Sequence, residues 1–213
     1  MSVKSFLDKY FKAEKTDSAK VVPETILEPM VGTQKREELR VAAVTVPVQT
    51  YSNLFHIFAD GACSDNGKRH AKAGFGVHVY KDPQHDKSVR LFPTEPQTNN
   101  RAELRAIQAA LDLIDQHDVE WSKDHTGYKI WSDSEYSIHC LTKWAPGWRR
   151  NNWKKSDGGL IQNIDLIKPL YERLARMPRV TLQHVRAHQD ALKSEFPFDG
   201  NHRADQLATQ SLR

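Results

Sequence analysis

The chain has 213 residues, of which 38% are hydrophobic and 27% are charged, a balance that suits one globular domain with some additional tail. Its formal net charge of +4 and pI near 9.0 permit a polyanionic partner without requiring one. No apolar stretch approaches the length of a membrane span, and Cys63 and Cys140 form no CxxC or Cys/His cluster. These features argue against a membrane protein, a disulfide framework and a structural zinc site, and we expect a soluble intracellular protein.

The first 50 residues differ in character from the rest of the chain. They mix Lys, Glu, Pro and Thr with little periodic apolar patterning, so we interpret residues 1–50 as a flexible tail and linker. Within them, residues 4–11 place Leu7, Tyr10 and Phe11 on one face of a short helix. This spacing resembles the motif by which replication proteins bind the sliding clamp, although Lys4 stands where that motif carries glutamine. A frayed amphipathic turn is the alternative.

Residues 51–213 show alternating and continuous apolar runs, which predict one folded domain. The order is three strands, a helix, a strand, two helices, a strand and a closing helix, which indicates an α/β fold with a mixed sheet covered by helices. The predicted strands are Leu54–Asp60, Gly74–Tyr80, Ser88–Pro93, Tyr128–Trp131 and Val180–Val185. The predicted helices run from a Thr98 cap to about Gln116, over Tyr136–Leu141, within Leu160–Ala175 (where Pro169 implies a kink or a later start), and over Arg203–Leu212.

Four acidic residues stand at the ends of these elements. Asp60 and Asp133 each close a predicted strand, and Gly61 is expected to break the first one. Glu103 lies in the first turns of one helix and Asp205 at the start of another. Four converging acids would repel one another, an arrangement that makes sense around divalent metal ions with oxygen ligands such as Mg²⁺ or Mn²⁺. Taken singly, each acid also suits a turn or a helix N-terminus.

Several motifs occur together in a fixed order. They are Asp-Gly-Ala-Cys at 60–63, Asn-Asn-Arg-Ala-Glu-Leu at 99–104, Trp-Ser-Asp-Ser at 131–134 and Gly-Asn-His-Arg-Ala-Asp at 200–205, with His188 before the last. By these motifs the chain, from about Leu54 to its C-terminus, resembles the type 1 ribonuclease H family of the eukaryotic kind. The resemblance implies a ribonuclease H-like fold, with five strands and helices on both faces. It also implies endonucleolytic hydrolysis of the RNA strand of RNA–DNA hybrids, leaving 3′-hydroxyl and 5′-phosphate ends. Four residues would hold two Mg²⁺ or Mn²⁺ ions (Asp60, Glu103, Asp133, Asp205), and His188 would assist product release or proton transfer.

A basic and aromatic segment suggests how a hybrid would be held. Residues 143–155 contain five basic residues, three tryptophans and no acid, a composition typical of nucleic-acid binding. A structural tryptophan cluster with solvated cations is the alternative. By the resemblance, the DNA strand would contact Thr98, Tyr136, Trp144, Trp148 and Asn163. The RNA strand would contact Cys63, Asn66, Asn99, Asn100 and Glu103, although Cys63 also suits a buried apolar position.

Two features depart from the family pattern. Pro96 stands where close relatives place an arginine in the phosphate pocket, and residues 189–199 lengthen the loop between His188 and Asp205, which bears on the position of His188.

Two other functions stay open: a DNA-cutting nuclease of the same fold, and a non-catalytic hybrid-binding or clamp-associated protein. We expect a monomer located in the nucleus, with the mitochondrion as the alternative compartment.

Overall fold

The computed structural model describes residues 53–187 and 194–213. The predicted tail at 1–50, with its candidate clamp-docking peptide at 4–11, lies outside the described residues. His188 and residues 189–193 of the lengthened loop also lie outside them.

Five strands form one mixed sheet at the centre of the domain. They are β1 (Leu54–Ser64), β2 (Lys72–Val79), β3 (Lys87–Arg90), β4 (Gly127–Ser132) and β5 (Val180–His184). Their spatial order is β3-β2-β1-β4-β5. The first three strands pair antiparallel, whereas β4 runs parallel to both β1 and β5. The predicted α/β fold with a five-stranded mixed sheet is confirmed.

Helices cover both faces of this sheet. They are α1 (Asn99–Trp121), α2 (Glu135–His139), α3 (Ala145–Arg150), α4 (Ile164–Ala175) and α5 (Phe198–Gln210), with a π-helical turn at Cys140–Trp144 between α2 and α3. Helix α1 buries an apolar stripe of helical period that includes Ala106, Ile107 and Leu111, because these side chains face the sheet. None of the helices in the described ranges is long and apolar enough to cross a membrane.

Strand β1 is longer than predicted. The prediction that Gly61 breaks the strand is wrong, because Gly61 pairs with Phe75 of β2 and the strand continues to Ser64. A Cβ atom at Gly61 would lie 2.4 Å from the backbone nitrogen of Glu103, which is too close for any side chain. The glycine therefore serves the close approach of α1 to β1, rather than a turn.

The closing helix begins five residues earlier than predicted, at Phe198 rather than Arg203. The prediction that Asp205 starts this helix is therefore wrong, since Asp205 lies about two turns inside it. Gly200, in the first turn, packs against the Phe58 ring, where a Cβ atom would lie 2.2 Å from a ring carbon. This apolar contact extends the helix toward its N-terminus, and polar sequence patterning does not reveal it. Helix α4 starts at Ile164, and Pro169 is accommodated inside it.

Candidate metal centre and nucleic-acid interface

Asp60 and Asp133 are brought level with each other by the parallel pairing of the two central strands. Phe58 of β1 pairs with Trp131 of β4, so two residues further along each strand Asp60 stands beside Asp133. Asp60 is only 6% exposed, and Asp133 directly follows the last residue of β4. The structure therefore places side by side the two aspartates that the sequence predicted to meet, although Asp60 lies within β1 rather than at its end.

Glu103 reaches the same place from helix α1. Glu103 is 8% exposed, and its carboxylate accepts a hydrogen bond from the Asn99 amide at 2.6 Å. It also accepts bonds from the hydroxyl groups of Ser134, the N-cap of α2, and of Ser137 at 3.4 Å. Ser134 belongs to the Trp-Ser-Asp-Ser motif, but the sequence did not indicate that its hydroxyl would hold Glu103.

The other three acids lie close enough to Asp60 for their charges to act on it. Burial raises the pKa of Asp60 well above its usual range, and the negative charges of Asp133, Asp205 and Glu103 raise it further. Burial and the charge of Asp133 raise the pKa of Glu103 to about 7, although three side-chain hydrogen bonds oppose this shift. The charged forms of Asp60 and Glu103 are therefore destabilised by burial and by the neighbouring carboxylates.

Among the described residues, no Lys, Arg or His forms an ion pair with any of these four acids. A donor set made only of carboxylate oxygens suits a hard divalent cation, which would supply the missing positive charge. Within the described ranges, no three Asp, Glu, His or Cys side chains already form a metal-binding group. The residues thus fit a divalent ion by the chemistry of their oxygen donors.

Asn201 is a further polar residue at this site that the sequence reasoning missed. It is buried in α5, and its amide nitrogen donates a hydrogen bond to Asp133 at 3.5 Å. Its amide oxygen has no hydrogen-bond partner among the described residues. The available signal was its place in the Gly-Asn-His-Arg-Ala-Asp motif, four residues before Asp205.

A cleft of about 400 Å³ lies at the N-terminal end of α1 and brings together residues expected to contact both strands. Its lining residues are Asn66, Pro96, Thr98, Asn100, Gln162 and Asn163. All of them are uncharged, consistent with the replacement of a family arginine by Pro96. Behind the cleft, the buried Arg101 donates to the Asn163 side-chain oxygen at 3.4 Å while its guanidinium is paired with Asp165 and Glu95.

Cys63 has the environment of a protonated thiol. Its sulfur donates hydrogen bonds to the carbonyl oxygens of Ser64 and Gln97, both at 3.5 Å. Burial and the nearby Asp65 raise the pKa of Cys63. This environment offers a donor group beside the cleft rather than a thiolate nucleophile.

The aromatic residues form a row that is partly buried. The rings of Tyr136 and Trp144 lie 6.2 Å apart and those of Trp144 and Trp148 lie 5.8 Å apart, measured between centroids. All three pack against the hydrophobic core, and burial raises the pKa of Tyr136 to about 12. All five basic residues of this segment are exposed: Lys143, Arg149, Arg150, Lys154 and Lys155. The row therefore combines a structural role with an accessible basic rim.

The five-stranded mixed sheet, with Asp60 on β1 and Asp133 directly after β4, is the architecture expected of the class of ribonuclease H-like α/β proteins. Comparison with known proteins identifies the family within this class. The RNase H family model matches residues 52–213. The chain belongs to the RNase H family, which confirms the resemblance to type 1 ribonucleases H seen in its motifs.

Similar proteins come from eukaryotes and bacteria. Ribonuclease H of Schizosaccharomyces pombe is 40% identical over 152 residues, which are 71% of this chain and 50% of that protein. Human Ribonuclease H1 is 32% identical over 157 residues, 74% of this chain and 49% of that protein. Ribonuclease H of Chlorobium phaeobacteroides is 34% identical over 158 residues, 74% of this chain and 94% of that protein. The chain thus spans about half the length of the eukaryotic relatives and nearly all of the bacterial one.

Solved structures share the fold. The solution structure of the PFV RNase H domain has a TM-score of 0.57 and 24% identity, over 74% of this chain and 93% of that one. The foamy viral protease-reverse transcriptase in complex with RNA/DNA hybrid has a TM-score of 0.57 and 19% identity, over 91% of this chain and 23% of that one.

Proposed function

We propose that this protein is an endoribonuclease that hydrolyses the RNA strand of RNA–DNA hybrids with two divalent metal ions. The convergence of Asp60, Glu103, Asp133 and Asp205, without a compensating cation among the described residues, carries the proposal. Relatives named Ribonuclease H support it, as does a fold-related structure that holds an RNA/DNA hybrid. Mg²⁺ or Mn²⁺ suits this oxygen donor set.

The four acids would hold the ions, whose chemistry is to activate a water molecule and to stabilise the leaving oxygen. Ser134 would keep the Glu103 carboxylate in place, and Asn201 would do the same for Asp133. We assign product release or proton transfer to His188 on the family resemblance alone. Each assignment rests on a hydrogen bond or on a position in a motif, and each can be tested by substitution.

Hybrid recognition would divide between the two sides of the acids. Cys63, Asn66, Asn99 and Asn100 would contact the RNA strand, whose 2′-hydroxyl groups need donors and acceptors. The DNA strand would run from Thr98 and Asn163 toward the aromatic row of Tyr136, Trp144 and Trp148. Because the cleft is uncharged, a phosphate there would be held by neutral donors, and the grip on the DNA strand would be weaker than with an arginine.

The test is cleavage of matched RNA–DNA, RNA–RNA and DNA–DNA duplexes of one sequence, with Mg²⁺, Mn²⁺ or EDTA. We expect cleavage of the RNA strand of the hybrid in either metal, none in EDTA, and 3′-hydroxyl product ends. Cleavage of the DNA duplex would instead favour a DNA-cutting nuclease of the same fold. Tight hybrid binding with no cleavage in either metal would favour a non-catalytic hybrid-binding protein.

Residues 4–11 lead to a separate proposal about partners. We propose that this segment docks on a sliding clamp and that the protein is otherwise a monomer located in the nucleus. A pull-down with the full chain, compared with a Phe11→Ala variant, tests the docking. Equal recovery of the clamp by both would contradict it.

A further inference from the structure

Three exposed cations at the β3 side of the sheet and the turn before β2 have no role in the account above. Arg69 is in the turn between β1 and β2, Lys72 begins β2, and Arg90 ends β3. None of the three forms an ion pair with any described residue, whereas the neighbouring Lys68 and His70 share Asp65 at 2.8 and 3.1 Å. We name these three cations, Arg69, Lys72 and Arg90, the basic edge patch.

The strand register places two members of the basic edge patch on the same sheet face as Asp60. Asp60 pairs with Gly76, and Lys72 lies four residues from Gly76 along β2. Arg90 pairs with Gly74, midway between them. Since side chains alternate between faces with a period of two, Asp60, Lys72 and Arg90 share one face. At about 3.3 Å per residue, Lys72 lies about 13 Å along the sheet from the level of Asp60.

Hydrogen bonds fix this region to the nucleic-acid cleft. The Ala73 backbone N–H, next to Lys72, donates to the Gln97 side chain at 2.8 Å, and Gln97 directly precedes the N-cap of α1. In the turn, the Asn66 side chain accepts from the Asn99 backbone N–H at 3.4 Å. The basic edge patch is therefore held in a defined position relative to the residues expected to meet the substrate.

The composition of the patch favours a polyanion over a solvated charged surface. Three cations without acidic partners attract phosphate groups, whose binding releases counterions. The Phe92 side chain, two residues after Arg90, is 73% exposed, and exposed aromatic rings beside cations are typical of nucleic-acid surfaces.

We propose that the basic edge patch binds backbone phosphates of the RNA strand of the hybrid. Because a strand carries one phosphate per about 3.4 Å of helix axis, the distance from Asp60 corresponds to about four nucleotides from the cleavage site. The proposal rests on the proposed function, since it takes the hybrid as the ligand and the acids as the point of cleavage.

The salt dependence of hybrid binding tests the proposal. Dissociation constants are measured in EDTA over a range of KCl concentrations for the full chain, for Lys72→Gln/Arg90→Gln and for the control Lys123→Gln/Arg176→Gln. The control removes the same charge from two exposed positions, in the segments that lead from α1 to β4 and from α4 to β5. We expect the patch variant to lower the slope of log K against log[KCl] by about 1.5 to 2, and the control variant to leave it unchanged.

Equal slopes for the patch variant and the full chain would overturn the proposal. An equal decrease of the slope in the patch variant and in the control variant would overturn it as well. A failure of the proposed function is distinguishable, because it would show as absent cleavage of the hybrid by the unaltered protein in Mg²⁺.

Shortened strands test which strand is held. The RNA of the hybrid is shortened by about five nucleotides, either at its 5′ end or at its 3′ end, which leaves single-stranded DNA there. One of these two truncations should remove the difference in affinity between the full chain and the patch variant. If only shortening of the DNA strand removes it, the assignment to the RNA strand is wrong.

Discussion

Helix α1 carries acidic residues near each end, and the two sets differ in whether the protein supplies cationic partners for them. Near its C-terminus, Asp112 and Asp115 are paired with Arg173 at 2.5 and 2.6 Å. Asp118, further along, accepts from Arg179 at 2.6 Å and from the Tyr128 hydroxyl at 2.6 Å. We call these the compensated acids.

Near the N-terminus of α1, Glu103 joins Asp60, Asp133 and Asp205, and none of them has a cationic partner in the described parts of the chain. Burial raises the pKa of both Asp60 and Glu103, so folding alone disfavours their charges. We call these the uncompensated acids. Acids that only support a fold are neutralised by the protein itself, whereas acids left uncompensated indicate a ligand that brings positive charge.

The largest expected effect comes from removing a charge among the uncompensated acids. Asp60→Asn should lower cleavage of the hybrid in Mg²⁺ at least about a thousandfold, because loss of metal-based stabilisation costs several kcal/mol in the transition state. Hybrid binding in EDTA should persist, and this can be measured in parallel. Arg173→Gln, a charge change among the compensated acids, is the control and should cleave normally. Normal turnover by Asp60→Asn would contradict the metal assignment.

Among the compensated acids we expect a smaller effect, on stability rather than on cleavage. Arg173→Gln removes both ion pairs to α1, and these are partly exposed, so the free energy of unfolding should fall by about 1 kcal/mol. In a chain of this size that corresponds to a melting temperature lower by about 3 °C. Urea denaturation and thermal melting measure the change. An unchanged stability would show that these pairs are not what compensates the acids of α1.

The smallest effect is expected at Tyr128. The Tyr128→Phe variant loses the hydrogen bond from the buried ring to Asp118, which keeps its Arg179 partner. The free energy of unfolding, measured by urea denaturation, should fall by about 0.5 to 1 kcal/mol. A loss much above 2 kcal/mol would mean that the hydroxyl, rather than Arg179, is the main partner of Asp118.

Local sequence signals predicted the elements that depend on neighbours in the chain. Thr98 caps α1 as expected, its hydroxyl accepting from the Arg101 backbone N–H at 3.4 Å. The apolar period of α1 and the position of Asp133 after β4 were also predicted correctly, whereas Asp60, expected to close β1, lies inside that strand. Capping, periodicity and turn chemistry act within a few residues, so the sequence displays them directly.

Features that depend on distant parts of the chain were missed or misplaced. Gly61 looked like a strand breaker because its real constraint, the backbone of Glu103, lies more than 40 residues away. Asp205 was placed at a helix start because the packing of Gly200 on Phe58 is not visible in the sequence. Tertiary contacts likewise decide which acids have a cationic partner. The compensated acids have one, and the uncompensated acids have none among the described residues.

The binding of Mg²⁺, measured through thermal stability, tests the central claim most directly. The full chain, Asp60→Asn and Arg173→Gln are melted in EDTA and then in increasing Mg²⁺. In EDTA, Asp60→Asn should melt above the unaltered protein, because one repelling charge is gone. Mg²⁺ should raise the melting temperature of the unaltered protein and of Arg173→Gln by the same few degrees, roughly, while leaving Asp60→Asn nearly unchanged. An equal shift in all three proteins, or none in the unaltered protein, would contradict a metal centre built from the uncompensated acids.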